Sequence, residues 1–529
     1  MTMRTSLLNM RPLALAILSQ LAGLGPLALA QQVPAAPAVM RVPTEPTLDI
    51  RAYRIEGSNP LSEAQTEQLL KPFTGAERKL SQIEQAATAL ESALRGNGFV
   101  FHRVFVPVQK PSDGEVALQV IRFTVDQVKV EGNEHFSTDN IRRSLPALQE
   151  GGVPDIREVG QDLSAANANP SKQLAVTFRE ANAADAVDAV LRVKDSAPYS
   201  SFVSYSGNLP AQAKNPDDSV SRLSFGLQHA NLFDRDHVAS FTYTTDPSKS
   251  DKVTLFGLYY QLPLYGTGLN VSAYYTSSDV ASGLGSLGLP DVTGKGQFTG
   301  VRVSYALPRT GPAVQTLSAA LDERHFDQGL PGTAVGSFPL SVKYAVRRDE
   351  SWGGVGAHLE YAANSSGGSD NNAASYTAQG AEHDWQAWRG GLDASYRLRN
   401  WSLNARLRAQ ASANQLIAGE KLSLGGQGSV RGFSDAVVRG DMGYYWNLDA
   451  TGPEFLLDQL RPVLFWDGGQ VQSNGAFAAH EELASVGAGL RWTYQRLDLS
   501  ADLAYTAKAN SAQTQPDLWR FHLSAYYRF

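Results

Sequence analysis

Along this chain the spacing of apolar and polar positions changes once. From Leu48 to about Pro198 helical and strand periods are mixed, whereas from Tyr199 to Phe529 nearly every segment alternates residue by residue between turns. In the first stretch Leu80, Ile83, Ala87, Leu90 and Leu94 share one face, which predicts a helix over 80–95. Ser62 predicts the cap of a shorter helix ending near Leu70. Strands are expected at 49–56, 99–108 and 115–124, the last two joined through Pro111-Ser-Asp-Gly114. A second copy follows: a strand at 125–131 turning at Gly132-Asn133, helices at 137–145 and 155–167, and strands at 172–179 and 186–194. Units 48–124 and 125–198 thus share one order (strand, helix, helix, strand, strand), and at about 75 residues each can enclose a small core.

The alternating region, 199–529, predicts about sixteen strands, near 199–208, 219–230, 236–245, 251–262, 268–277, 297–307, 314–325, 338–348, 353–362, 387–398, 401–412, 437–449, 461–472, 484–494, 496–506 and 518–529. In the last of these Trp519, Phe521, Leu523, Ala525, Tyr527 and Phe529 share a side; in the one before, Leu497, Leu499, Ala501, Leu503 and Tyr505 oppose Asp498, Ser500 and Asp502. Such segments, roughly 10 residues long, fit tilted strands with lipid on one side and a wet lumen on the other. A soluble sandwich also alternates, so connection lengths supply the second test. Those after odd strands are long (278–296, 326–337, 363–386, 413–436, 473–483, 507–517), and most after even strands are short (308–313, 349–352, 399–400, 495). Membrane barrels show this asymmetry, which places both barrel ends and the two small units on the periplasmic side. The connection 450–460 breaks the rule, being long on the short side.

The amino terminus changes the picture by fixing a compartment. Arg4 and Arg11 precede an apolar run from Leu13 to Leu29, interrupted by Gln20, Gly23, Gly25 and Pro26, and Ala28-Leu29-Ala30 follows the small-x-small cleavage pattern. A signal peptide over 1–30 is expected, then a Pro-rich lead-in over 31–47. Beyond it no stretch approaches the roughly 18 to 20 apolar residues of a spanning helix. The chain has no cysteine, so disulfides play no part, and its 47 Gly and 49 aromatic residues (20 Tyr, 21 Phe, 8 Trp) suit an outer-membrane barrel. A net charge of −6 and a pI near 5.9 argue against a general nucleic-acid binder.

Candidate chemistry lies in the barrel's interior. Arg389, Arg397 and Arg399, then Arg406 and Arg408, fall opposite Trp388, Leu392, Tyr396, Trp401, Leu403 and Leu407. These arginines are expected to line the lumen, either paired with inward acids such as Asp393 to hold the wall or guiding a passing chain. On the strand at 461–472, Leu464 and Trp466 take the lipid side, so Phe465, Asp467 and Gly469 point inward, and an inward carboxylate needs a cation. Arg431 is a candidate.

Arg431 sits in Gly425-Gly-Gln-Gly-Ser-Val-Arg-Gly-Phe433, in the long connection after the eleventh strand. Val430-Arg431-Gly432-Phe433 resembles the V-R-G-[YF] motif of the transporters of two-partner secretion, which include haemolysin and adhesin exporters, and Phe465-Trp-Asp-Gly-Gly469 is similar to that family's F-x-D-x-G. The resemblance covers the whole mature chain. It implies a fold of two α+β periplasmic POTRA (polypeptide-transport-associated) domains, 48–124 and 125–198, followed by an all-β transmembrane barrel of about sixteen antiparallel strands. It also implies that the motif loop folds back into the lumen and that Arg431 meets Asp467, as a gate or only as a brace for the wall. Some members carry a helical plug ahead of the first POTRA domain; Pro34, Pro37, Pro43 and Pro46 make a helix over 31–47 doubtful.

What the resemblance implies is export, from periplasm to cell surface, of an unfolded partner polypeptide whose signal the POTRA domains bind. Other expected partners are outer-membrane lipid and, during biogenesis, the barrel-assembly machinery, which reads a terminal aromatic such as Phe529. An insertase for other barrels is the alternative, though such relatives usually carry more small domains; a passive porin needs none. No enzyme signature is present, and no metal or cofactor is expected: G-x-S-x-G and H-E-x-x-H are absent and the 9 His, such as His229 and His383, are scattered. The G-x-G-x-x-G at 283–288 lies in an external loop with no helix behind it and is assigned to flexibility.

Overall fold

The computed structural model describes residues 45–110, 113–210, 220–247, 254–278, 296–308, 311–327, 334–475, 478–510 and 518–529. The leader, most of the lead-in and the glycine pattern at 283–288 lie outside them.

Two POTRA-like units built alike lead into the barrel. In the first, Glu115–Arg122 is central, parallel to Ala52–Gly57 and antiparallel to His102–Phe105. Helices Glu63–Leu70 and Leu80–Gly96 cover one face. Ser62 caps the shorter helix through a reciprocal box with Gln65, and the longer one buries Ile83, Leu90 and Leu94 on Val116 and Leu118. In the second unit Ala186–Asp195 is central, parallel to Thr124–Glu131 and antiparallel to Lys172–Glu180, beneath helices Thr138–Arg143 and Ile156–Ala166. The strand expected at 49–56 is two: Thr47–Ile50 leaves the sheet to pair with Gly75–Lys79, a strand whose charged residues hide it from a hydrophobic pattern. Only Phe123 separates the units, and Phe101 meets Phe178 edge to face at 4.6 Å across the junction.

From Tyr199 sixteen antiparallel strands close into a barrel, the first (Tyr199–Pro210) pairing with the last (Trp519–Arg528). Between them run Val220–Leu232, His237–Thr245, Thr254–Leu264, Leu269–Ser278, Gly296–Ala306 and Val314–Phe326 as strands two to seven. Strand eight is Val335–Ser337 continued by Pro339–Glu350, and Gly353–Asn364, Gln386–Leu398 and Trp401–Ala411 are nine to eleven. Met442–Thr451, Leu460–Gln472, His480–Tyr494 and Leu497–Ala509 are twelve to fifteen. Strand twelve starts five residues later than its alternation predicts, because Val438–Gly440 pairs instead with Leu422–Leu424 in a small ribbon inside the connecting loop. The long connection after strand nine also carries an unforeseen helix, Ala373–Ala378, whose Tyr376 packs with Trp385, Leu416 and Ile417.

Outward positions are apolar and exposed (Leu340, Leu359, Leu392, Leu464, Trp466), whereas their neighbours in sequence are inward and buried or polar, the arrangement a lipid-facing wall requires. Among the described residues no helix is long and apolar enough to span a membrane. The second POTRA-like unit is fastened to the barrel rim. Lys172 Nζ lies 2.6 Å from Asp236 in the turn after strand two, both side chains essentially dry, and Tyr265, in the turn after strand four, donates to the same carboxylate at 2.6 Å. Asn169 donates to Ala230 O at 2.6 Å and Asn140 to Asn231 at 3.1 Å. Burial pushes Lys172 below the usual lysine range against the opposing pull of Asp236, and pushes the Tyr265 hydroxyl up.

Candidate functional site

The loop joining strands eleven and twelve runs back into the barrel and touches walls on several sides. Val430 and Phe433 are buried with Leu424, Val438, Val471 and Leu483, an apolar knot that fixes the loop's middle. Arg431, pointing the other way, is 5% exposed. Its Nε and Nη2 donate to the two oxygens of Asp467 on strand thirteen at 2.6 and 2.8 Å, and its backbone N–H donates to Asp467 at 3.1 Å. Asp467 is fully buried. A two-point fork of this kind fixes direction as well as charge.

Three further groups complete the setting. Asp449 on strand twelve accepts from Arg431 Nη2 at 2.7 Å, and the guanidinium carbon stands 3.7 Å from the centre of the Phe465 ring. Asp502 on strand fifteen lies 3.5 Å from Nη1 and is itself held by Arg491 at 2.6 and 2.9 Å. Gly432 has φ +91 and sits against strands fourteen to sixteen: its N–H donates to His522 Nε2 at 3.0 Å, and a Cβ there would meet Ala504 at 3.3 Å and Ser485 at 3.4 Å. Only glycine accepts both the conformation and the closeness without strain. Gly469 clears room on strand thirteen for Tyr445, since an added Cβ would lie 2.7 Å from the Tyr445 Cβ.

A second set of contacts holds the loop's first half. Glu420, 2% exposed, accepts from Arg324 on strand seven at 2.8 Å, from Arg389 on strand ten at 2.7 Å and from Ser337 at 2.7 Å. Asp441, at the loop's end, accepts from the backbone N–H of Leu416 at 2.8 Å and of Asn474 at 2.7 Å. Across the lumen Arg222 on strand two pairs with Asp435 at 2.8 Å, and Arg520 on strand sixteen donates to Ser434 at 3.1 Å. A cavity of about 840 Å³, lined by Arg324, Lys343, Arg389, Glu420 and Gln427 among others, remains between loop and wall.

The interior arginines divide. Arg389 is engaged by the loop; Arg408 forms a double contact with Asp393 at 2.9 Å, and Arg406 lies 3.5 Å from the same carboxylate. Arg397 is exposed near the periplasmic end of strand ten. Arg399 is not a wall residue: it occupies the two-residue turn after strand ten with φ +55, because the strand ends at Leu398 and a tight hairpin needs positive φ there. Pattern reading missed Glu420, Asp441, Asp449, Asp502 and His522. Three of these are ordinary inward polar positions on alternating strands, and only the register shows that they converge. Among the described residues no cluster of three or more His, Asp or Glu could hold a metal.

Comparison with known proteins agrees with this architecture. Residues 48–122 match the POTRA domain of ShlB type. The outer membrane transporter CdiB of Dickeya dadantii (strain 3937) is 21% identical over 493 residues, covering 87% of this chain and 84% of that protein. Among solved structures, CdiB from Escherichia coli superposes with a TM-score of 0.76 at 19% identity over 94% of this chain and 93% of its own, and CdiB from Acinetobacter baumannii with 0.68 at 15% over 92% and 90%. At those identities the structures speak for the fold. Residues 212–492, more than half of the chain, match the haemolysin secretion/activation family ShlB/FhaC/HecB, and the chain belongs to that family of outer-membrane protein transporters.

Proposed function

We propose that this protein exports an unfolded, haemolysin- or adhesin-like partner from the periplasm to the cell surface, and that the loop over 412–441 is the element that must yield for the partner to pass. The leader over 1–30 directs export and is cleaved after Ala30, leaving the lead-in and the domains 48–124, 125–198 and 199–529. The POTRA-like units receive the partner's extended signal as an added strand: Ala52–Gly57 and His102–Phe105 in the first, and Thr124–Glu131 and Lys172–Glu180 in the second, are the sheet edges on offer. The terminal Phe529 presents the aromatic end read by the assembly machinery.

The observation that carries this reading is the fork between Arg431 and Asp467, which fastens an external loop to the inner wall in the path a polypeptide must take. A static porin has no need of a buried ionic latch on a loop that reaches into its own lumen; assembly factors share the motif, and it is the presence of two small domains that favours export over assembly. Removing one partner of a buried pair costs about 3 to 5 kcal/mol, roughly half of that beside a hydrated cavity. Arg431→Ala therefore loosens the loop by about 2 kcal/mol, roughly a 30-fold change in its latched population. The expected result is a folded, inserted barrel with reduced export of its partner, to be sought as a large secreted protein encoded nearby. Export at the unaltered rate would leave the motif a structural brace only.

A further inference from the structure

At its periplasmic end the barrel turns tightly at 233–236, 265–268, 351–352, 399–400 and 495–496, with Phe233 and Trp352 exposed in two of these turns, whereas the connections 307–313 and 452–459 are longer. Residues 452–459 present Phe455, Leu456 and Leu457 in a row, all exposed, Leu456 to 89%. The tip is well braced. Phe455 N–H donates to Leu460 O at 3.0 Å, Leu460 N–H to Leu457 O at 3.2 Å, and Glu454 pairs with Arg461 at 2.7 Å. Leu456 adopts φ +60, a region that a bulky side chain enters at a cost and that Gly or Asn occupies more easily. A leucine kept in a strained, outward tip implies a contact for its side chain.

The direction of the turn identifies that contact. Trp492 stands on the lipid face of strand fourteen, in line with Val486 and Leu490, and its Nε1 donates to Asp458 O at 3.2 Å. On the other flank Trp401, on the lipid face of strand eleven, approaches within 3.3 Å of where a Cβ on Gly452 would lie. The turn is flanked by two outward tryptophans, at Gly452 and at Asp458, next to strands whose exposed outward residues include Leu448, Leu464 and Trp466.

We propose that Phe455-Leu456-Leu457 is a lipid-binding wedge, seated in the periplasmic leaflet at the boundary between headgroups and acyl chains. Apolar side chains flanked by tryptophans bind at that depth; at the base of the wedge Glu454 is paired with Arg461, and Asp458 follows Leu457 directly. The hairpin so anchored carries Asp449 and Asp467, two of the carboxylates that grip Arg431. The wedge thereby sets the height of the latch within the membrane. The proposal rests on the barrel being in a bilayer and is independent of the export mechanism.

The full chain has no cysteine, so Leu456→Cys can be labelled at that one site with an environment-sensitive fluorophore and reconstituted into phospholipid vesicles. Lipids bearing a nitroxide near the headgroup end of the acyl chain should quench it roughly twofold, while aqueous iodide should leave it nearly unchanged. Leu464→Cys, on the lipid wall, reports insertion; Glu67→Cys, on the first POTRA-like unit, reports water. If Leu464 is quenched by lipid and Leu456 only by iodide, the wedge is refuted while the barrel stands, and protection from both quenchers would assign the tip to a protein partner and refute it equally. Leu457→Cys repeats the measurement should Leu456→Cys not fold.

Discussion

Asp236→Ala tests how the second POTRA-like unit is held to the barrel. Lys172 and Asp236 meet at 2.6 Å with side chains 0% and 1% exposed, so water screens neither. Deleting the carboxylate leaves an ammonium in a dry pocket whose other contacts are Asn140 at 2.9 Å, Ser144 at 3.4 Å and the rings of Phe136 and Tyr265 at 5.2 and 5.9 Å. Those groups share a hydrogen or face a cation; none neutralises it. The loss of one partner from such a pair is about 3 to 5 kcal/mol, and the orphaned Tyr265 hydroxyl pushes it toward the upper end. Burial already holds Lys172 below the usual lysine range, and Asp236 is the chief group that opposes it, with Asp234 adding less, so without Asp236 the lysine either loses its proton or pulls the unit from the rim. The docked population should fall by roughly 10² to 10³. Spin labels on cysteines at Gln149 and Asn400 read the outcome, as a narrow distance distribution that broadens in Asp236→Ala. Pairing Asp236→Leu with Lys172→Met, which removes both charges, should restore much of the narrow distribution. An unchanged distribution in Asp236→Ala would refute the argument that this pair fastens the unit.

Two more outcomes follow from the loop contacts. Glu420→Gln removes the carboxylate shared by Arg324 and Arg389, which keep Asp322 and Glu360, at a cost of about 2 kcal/mol, and should expose the loop to trypsin at Lys421 or Arg439 in intact vesicles; wild-type resistance would show that Glu420 is not a fastening. Gly432→Val combines a forbidden φ with contacts inside 3.5 Å on strands fourteen and fifteen, and should lower stability by about 2 kcal/mol or displace the loop, seen as a lower urea midpoint of the folded band on gels.

The barrel was legible because its strands are sandwiched between lipid and a wet lumen, so that a period of two is written into each and the turns punctuate it. Legibility failed where alternation serves another partner. Val438 to Gly440 alternate like a wall strand, yet their partner is Leu422 to Leu424 within the loop, and no local pattern distinguishes the two pairings. Gly75–Lys79 is a strand by hydrogen bonding alone, with charged side chains on both faces. For the site, the meeting of Arg431 with Asp467 entered through a motif, whereas Asp449 and Asp502 look like any inward acid until Asn447 opposite Asp467 and Gly489 opposite Asp502 set the register. Glu420 lies in a loop without periodicity, so no spacing could aim it at Arg324 and Arg389.

These contacts share a polarity that neither motif contains. Toward strands two, seven and ten Arg222, Arg324 and Arg389 face the loop, which answers with Asp435 and Glu420, and the wall itself sets Asp322 beside Arg324 and Glu360 near Arg389. Toward strands twelve, thirteen and fifteen the wall is acidic, through Asp449, Asp467 and Asp502, and the loop answers with Arg431. Turned half around, the loop would set like charges against like at both ends, so charge pattern selects its orientation before packing refines it. Withdrawing the loop removes one partner from each of these groups, leaving Arg324 with Asp322, Arg389 near Glu360 and Asp502 with Arg491, while Asp449 and Asp467 lose Arg431. Re-entry of the loop restores Arg431, Asp435 and Glu420 to their wall partners together. On the proposed export mechanism, the latch would favour closure once a partner has passed.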